Sequence, residues 1–377
     1  MGQPASKSVT PQQGSGQPVA ITPAVGDKVM RAWLVPKADS DLTKLTIHTI
    51  PVPEPGPTQI RVQIVCASVN PVDVLRVGTA SCAFPAVIGT DGSGVVDKVG
   101  DEAKSKEAGI SVGDEVFFHV DTTGGQGTLG EYTIVELDTV ARMSSATAQP
   151  TTSDAKNKLT FAEAATLPSA GWTAYIAMFD KLKVEKDRVI FIDGAAGGVG
   201  SYAIQFAKMI GLYVIASCST YNVEYLKKLG VDSVIDYVMD DVSDKLRDIT
   251  EGRGVDYMLE LVSPEQATRY AHHIRFGGAL FQVGGALRSL ETVFFHNQIS
   301  LHHVNLNGLH KTAATAPLLG YLGRQCVSMV ESGTLKPCHY EVVAFEQIRD
   351  VLIMLSKGHA KGKVVVRVIA TKREKKP

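Results

Sequence analysis

The residues of this chain with the clearest chemical meaning are three glycines, Gly194-x-x-Gly197-x-x-Gly200, in the segment FIDGAAGGVGSYAIQFAKMIG (191–211). They stand where an apolar run ends and a helical pattern begins, with Val199, Ala203, Ala207 and Ile210 on one face. Glycine serves three steric needs there: a sharp turn from strand to helix, close approach of the backbone to a pyrophosphate, and tight helix–strand packing. The amides at the helix start have no helical carbonyl to bond. Together with the positive end of the helix dipole, they suit an anionic phosphate. Gly194, Gly197, Gly198, Val199 and Gly200 are therefore the expected phosphate contacts. Alone, the triplet fits an ordinary tight turn. Its strand–turn–helix setting, within a run of βα units, marks a dinucleotide loop.

The next strand bears on which dinucleotide. Enzymes that use NAD place Asp or Glu about 20 residues after the loop, on the ribose 2′-OH. Here the strand ends in Ala216-Ser217-Cys218-Ser219-Thr220-Tyr221-Asn222, and the first acid, Glu224, lies on the following helix. A carboxylate at the strand end would repel a 2′-phosphate. Its replacement by the hydroxyls of Ser217 and Ser219 favours NADP(H), although no Arg or Lys sits in the turn. Tyr237, at the end of the third strand, either flanks the adenosine or is a strand-end aromatic.

Strand-like and helical segments alternate around this loop. Strands are expected at 188–193, 213–219, 233–237, 255–261 and 278–285, with helices to Ile210, to Leu229, near 241–250 and near 264–275. That alternation predicts a doubly wound parallel sheet. A further strand is expected at 299–309, then a helix near 315–332, a strand at 341–345, a helix to 357 and a last strand at 363–368. Before Phe161 the pattern is different. Short alternating or β-branched runs at 30–35, 59–69, 93–99, 114–120 and 131–136, separated by Gly- and Pro-containing turns, predict a compact, mostly antiparallel β-domain. Residues 1–27, rich in Gly, Pro, Ser and Gln, read as a flexible tail, and 144–158 as an exposed loop. No internal repeat is found.

With 377 residues the chain has room for two core-bearing domains of about 150 residues each. A net charge of −1 and the absence of a basic stripe argue against nucleic acid as a partner, and the terminal TKREKKP reads as a solvated end. No apolar run approaches the ~18 residues of a spanning helix, and the start lacks the layout of a secretory signal. Five cysteines, at 66, 82, 218, 326 and 338, are scattered and never spaced C-x-x-C, which suits reduced thiols and a cytoplasmic protein. The opening Met-Gly-Gln-Pro-Ala-Ser matches the signal for acylation of Gly2, or is a polar leader that happens to match. One myristoyl chain binds membranes only marginally, so any such contact would be weak and reversible.

Several blocks together resemble the zinc-free quinone oxidoreductase (zeta-crystallin-like) branch of the medium-chain dehydrogenase/reductase superfamily, from about residue 28 to 369. They are ASVNPVDVLRVG (67–78), VIGTDGSGVV (87–96), AATLPSAGWTAY (164–175), GAAGGVG (194–200), LKKLGVDSVIDY (226–237), ESGTLKP (331–337) and GHAKGKVVV (358–366). The resemblance implies an α/β chain with a GroES-like β-domain, residues 28–165 and 335–377, and a Rossmann doubly wound domain, residues 166–334. It also implies homodimers paired through sheet edges, for which SLHHVNLNGL (300–309) is the candidate edge. Zinc-dependent members of the superfamily have a cysteine and a histidine ligand near the positions of Asn70 and Thr90, and a further cysteine before the cofactor domain. No Cys or His occurs between His119 and Cys218, so no metal site is expected. The pairs His272/His273 and His302/His303 read as helix-surface and strand residues.

Without a Lewis acid, oxidation of an alcohol is a poor fit. Hydride transfer from NADPH to an electron-poor carbon, in a quinone or an α,β-unsaturated carbonyl, is the expected reaction, and an acyl-thioester or lipid-derived enal would suit the same site. Asn70 is the expected catalytic residue, its amide bonding substrate, an ordered water or the nicotinamide ribose; a turn-forming Asn before Pro71 is the alternative. Asp73 is expected to fix that loop through backbone hydrogen bonds. Where the family often has a tyrosine, this chain has Val74-Leu75-Arg76, and Arg76 reads either as an attractor of a substrate oxygen or as a surface salt bridge. The resemblance puts Thr173 near the nicotinamide, Val262 and Gly284 along the cofactor and Lys363 near its phosphates; a helix-start Thr173 and a strand-edge Lys363 in solvent are the plainer options. No general acid stands out. A cofactor-binding protein with little turnover (crystallin-like, RNA-binding or membrane-trafficking) is the rival class.

Overall fold

The computed structural model describes residues 28–38, 41–78, 83–145, 158–285, 291–358 and 361–370. The N-terminal tail with Gly2, the centre of the 144–158 loop, Cys82 and the TKREKKP end lie outside the described residues.

The first eight strands are β1 (Val29–Val35), β2 (Thr46–Pro51), β3 (Gln59–Val69), β4 (Ala86–Val87), β5 (Asp91–Val99), β6 (Glu115–His119), β7 (Tyr132–Glu136) and β8 (Val140–Arg142). β3, β5, β6, β7 and β8 pair antiparallel, as the alternating runs predicted. Ile60, Val62 and Ile64 of β3 close onto Val116, Phe118 and Leu129 in a core of their own. The last two strands, β15 (Tyr340–Ala344) and β16 (Lys363–Arg367), return to this sheet, with β16 antiparallel to β3.

Between them lies the parallel sheet of β9 (Val189–Asp193), β10 (Tyr213–Cys218), β11 (Ser233–Asp236), β12 (Val255–Glu260), β13 (Ile274–Gln282) and β14 (Ser300–His303), in the order β11-β10-β9-β12-β13-β14. Ile190, Phe191 and Ile192 of β9 are all fully buried. That is expected of a central parallel strand with helices on both faces. The order reverses between β9 and β12, and in such sheets ligands bind outside the strand ends at this switch point.

Two elements differ from expectation. β13 starts at Ile274, because the helix ends at Tyr270 and the strand passes a kink at Gly277 (φ 71°) and Gly278, where a Cβ would lie 2.5 Å from Ile274 Cγ2. The strand expected over 299–309 stops at His303. Asn305 Oδ1 accepts from Gly308 N–H at 3.2 Å and caps a helical turn, Leu306–Leu309.

Candidate active site

Asn70 follows β3 and caps the helix Pro71–Val77, and Asp73 Oδ2 accepts its backbone N–H at 2.8 Å. This is the loop-fixing role expected of Asp73. Asn70 Nδ2 donates to Thr90 Oγ1 at 2.8 Å and to Asp91 Oδ2 at 2.9 Å, while its Oδ1 accepts from Lys363 Nζ. Lys363 Nζ also donates to Val69 O at 3.2 Å and lies 3.6 Å from Asp91 Oδ2. Asp91 Oδ1 in turn accepts from Ser169 N at 3.1 Å and Ser169 Oγ at 2.6 Å. Asn70, Asp73, Thr90, Asp91 and Lys363 are all buried.

Both N–H groups and the oxygen of the Asn70 amide bond protein partners, which hold the amide in this cluster. The Lys363 ammonium is buried in this cluster and does not lie in solvent. Only its stem borders the glycine loop, where a Cβ on Gly198 would meet Lys363 Cδ at 2.7 Å. Loop and cluster are directly linked, since Gly362 N–H donates to Ala196 O at 2.8 Å. Burial pushes Asp73 up to about 7 and also raises Asp91, against the opposing pull of Lys363. Sequence reasoning assigned nothing to Asp91 or Ser169, and no spacing signal links them.

The dinucleotide cleft has the shape its sequence called for. Gly194 has φ 70°, and a Cβ there would lie 2.9 Å from Val262 Cγ2; at Gly200 it would lie 2.5 Å from Ala195 O. Gly197 and Gly284, by contrast, face open space, with at most Gly194 O at 3.5 Å. The helix Gly198–Ile210 begins beside this open space, and the amides of its first turn have no helical carbonyl to bond. These residues fit a dinucleotide phosphate. Val262 and Tyr237 are both more than half exposed at strand ends. Thr173 is buried in the helical run that also carries Ser169. Of the two hydroxyls at the end of β10, Ser217 is not free, because it donates to Asp193 Oδ1. Ser219 Oγ accepts from Asn222 Nδ2 at 3.2 Å and keeps its own proton to give. Glu224 is exposed and paired with Lys227 at 2.8 Å.

Asn70 and Thr90, near whose positions the family resemblance implies the ligands of zinc-dependent members, are bonded to each other. Among the described residues, no three His, Cys, Asp or Glu side chains stand together as a metal set. His272 is exposed, His273 half-buried, and His302 and His303 lie on β14. Sequence reasoning also passed over His119 and His310. They meet across the domain junction, His119 Nδ1 3.0 Å from His310 Nε2, on the wall of a cavity of about 800 Å³. Cys66, Cys218, Cys326 and Cys338 are buried free thiols.

A parallel sheet with a glycine-lined switch point, joined to a β-domain that presents a buried polar cluster beside it, defines a two-domain dinucleotide-dependent oxidoreductase. Residues 56–145 match the family described as alcohol dehydrogenase GroES-like domain, and residues 198–316 that described as zinc-binding dehydrogenase. The chain is 33% identical over 357 residues to 2-methylene-furan-3-one reductase of Solanum lycopersicum, covering 90% of this chain and 79% of the relative. It is 28% identical to the mitochondrial NAD(P)H oxidoreductase RTN4IP1 of Mus musculus, over 92% and 91% of the two chains. Among solved structures it is similar to an NAD-dependent alcohol dehydrogenase at 28% identity and TM-score 0.75, covering 90% and 100%. The quinone oxidoreductase from Coxiella burnetii shares the fold at 24% identity and TM-score 0.71, covering 91% and 100%. The chain belongs to the medium-chain dehydrogenase/reductase superfamily, and its relatives indicate a nicotinamide cofactor.

Proposed function

We propose that the protein is an NADPH-dependent, zinc-independent reductase that delivers hydride to quinones or α,β-unsaturated carbonyls. The observation that carries this reading is the Lys363–Asn70–Asp91 cluster. A protein ammonium, already balanced by Asp91, fills the polar core around Asn70 and Thr90, the positions near which the family resemblance implies the ligands of zinc-dependent members. Such a cluster holds the substrate loop in one place but gives no site for ionising an alcohol. Bound NADPH supplies the hydride. The chain's own part is to hold the pyrophosphate on the amides that open the helix after Gly197, to wall the cofactor with Val262 and Gly284, and to exclude water beside Thr173. The acceptor carbon gains the hydride, negative charge moves onto the carbonyl oxygen, and a proton completes the reduction.

Two relatives support the acceptor class by their names, 2-methylene-furan-3-one reductase of Solanum lycopersicum and a trans-enoyl reductase of Aspergillus terreus. Preference for NADPH rests on the carboxylate-free end of β10 and the Ser219 hydroxyl. A cytoplasmic setting rests on the buried thiols; no described helix is long and apolar enough to cross a membrane. The test mixes purified protein with NADPH or NADH and a panel of quinones and enones, with and without a strong chelator, and follows nicotinamide absorbance. Consumption of NADPH that is unaffected by the chelator is expected. No consumption across the panel, or loss on chelation, rejects the proposal.

A further inference from the structure

Beneath the glycine loop lies a row of buried polar side chains that neither the sequence pattern nor the reduction chemistry uses. Asp193 ends β9, Glu260 ends β12 and Gln282 ends β13, each the direct cross-strand partner of the next, and all three are buried. This row crosses the switch point. Asp193 Oδ1 accepts from Gly194 N–H at 3.1 Å and from Ser217 Oγ. Glu260 Oε1 accepts from Val262 N–H at 2.6 Å and Ser263 N–H at 3.1 Å. Thus both carboxyls bond the backbone of residues that line the dinucleotide cleft.

The accounting does not close with both acids ionised. Glu260 Oε2 and Gln282 Oε1 are buried acceptors with no donor, and Gln282 Nε2 is already given to Gly284 O at 3.2 Å. Among the described residues no Lys, Arg or His forms an ion pair with Asp193 or Glu260. The groups that face them are Ser217 from β10, Gln282 from β13, Ser263 and, from the helix Pro264–Tyr270, the Tyr270 hydroxyl, itself raised by burial and by Asp193. Two adjacent carboxylates without a cation cannot both stay charged in a buried site. One proton on Glu260 resolves this, turning an orphaned acceptor into a donor.

We infer that Asp193 and Glu260 form a one-proton carboxyl pair under the coenzyme loop, and that dinucleotide binds with that proton in place and is released as it leaves. The inference rests on the dinucleotide reading above. A coenzyme brings at least two negative charges to a cleft whose backbone, at Gly194 and Val262, already bonds these carboxyls, and a second ionised carboxylate opposes it at short range and low dielectric. Burial and the neighbouring Asp193 push Glu260 up to about 8, which places the loss of the proton just above neutrality. The sign follows from linkage: if the protonated pair is the binding form, Kd rises with pH above that point, toward tenfold per pH unit.

The test measures Kd for NADPH by nicotinamide fluorescence between about pH 7 and about pH 9.5, where the coenzyme 2′-phosphate stays ionised. Wild-type Kd should rise about thirtyfold over this range, while Glu260→Gln, which keeps the Oε1 acceptor and is neutral throughout, should stay within about twofold. On the unmodified protein, calorimetry of NADPH binding at about pH 8.5 in two buffers of different ionisation heat should show proton uptake. Parallel pH slopes in wild type and variant, or binding without proton uptake, overturn the inference. Failure to bind NADPH or NADH even at neutral pH would instead remove the dinucleotide reading itself.

Discussion

At the scale of single residues, the cluster around Asn70 is an exchange of charges completed inside the protein. Lys363 and Asp91 are both out of water, and each is tolerable only because the other is present. Replacing Lys363 with Met would strand the Asp91 carboxylate and leave Asn70 Oδ1 without its donor. The expected loss is about 3–5 kcal/mol of stability, measured by urea unfolding, and the double variant Lys363→Met/Asp91→Asn should regain part of it. A K363M protein as stable as the wild type would mean that the ammonium is expendable. The role of Asp73 could be read from its motif, because Asn-Pro-x-Asp is local and Asp73 bonds Asn70 three residues away. That of Lys363 could not. A lysine beginning a β-branched run reads as a strand-edge charge, and its partners are 293 and 272 positions distant along the chain.

Whole elements were more legible than their ends. The β9–loop–helix unit follows from glycines with steric necessity, and the structure shows the necessity as distances. A methyl group on Gly200 would be 2.5 Å from Ala195 O and 2.6 Å from Ala195 Cα, backbone atoms that cannot swing aside. Gly200→Ala should therefore push the loop off its course and weaken NADPH binding at least tenfold, as read by fluorescence titration. Gly230→Ala, in a turn that points away from the cleft, serves as a control with near-normal affinity even if it melts earlier. Equal affinity in both would sink the idea that the loop grips the phosphates. The Rossmann alternation was plain for the same reason: helical and strand periods differ, so each segment declares itself. Hidden from the sequence were features made by tertiary contact. Nothing local marks Gly277–Gly278 as a strand kink, nor Asn305 as a cap that ends β14 after four residues. The Asp193–Glu260 pair was equally hidden, since only sheet register places residues 67 positions apart side by side.

At the scale of the molecule, two surfaces carry predictions. The outer edge of β14 has no strand beside it among the described residues, and it presents Leu301, 39% exposed. An open edge pairs with another strand unless it is guarded, and a second copy of the same edge is the symmetric solution. Light scattering should give a dimer mass for the wild type and a monomer for Leu301→Asp; a monomeric wild type ends this proposal. The other surface is the junction between domains, where His119 and His310 stack with ring centroids 5.2 Å apart. Burial, then their mutual repulsion and Arg76, hold His119 well below the imidazole range. Burial and Arg76 also lower His310, against the opposing pull of Asp121 and Glu136. Both rings are thus neutral in the folded protein near neutral pH, whereas in the unfolded chain they take up protons below about 6.5. The unfolded state then binds more protons, so this pair contributes its full stability above that pH and loses it as the pH falls. Asp73, Asp91 and Glu260, raised by burial, pull in the opposite sense, so the whole-protein curve mixes both signs. The difference between wild type and His310→Gln separates them. The urea midpoint of the wild type should fall relative to the variant between about pH 6.5 and about pH 5, and run parallel to it above. Parallel curves throughout would show that the two rings do not meet, neutral and hydrogen-bonded, at the junction between the two domains.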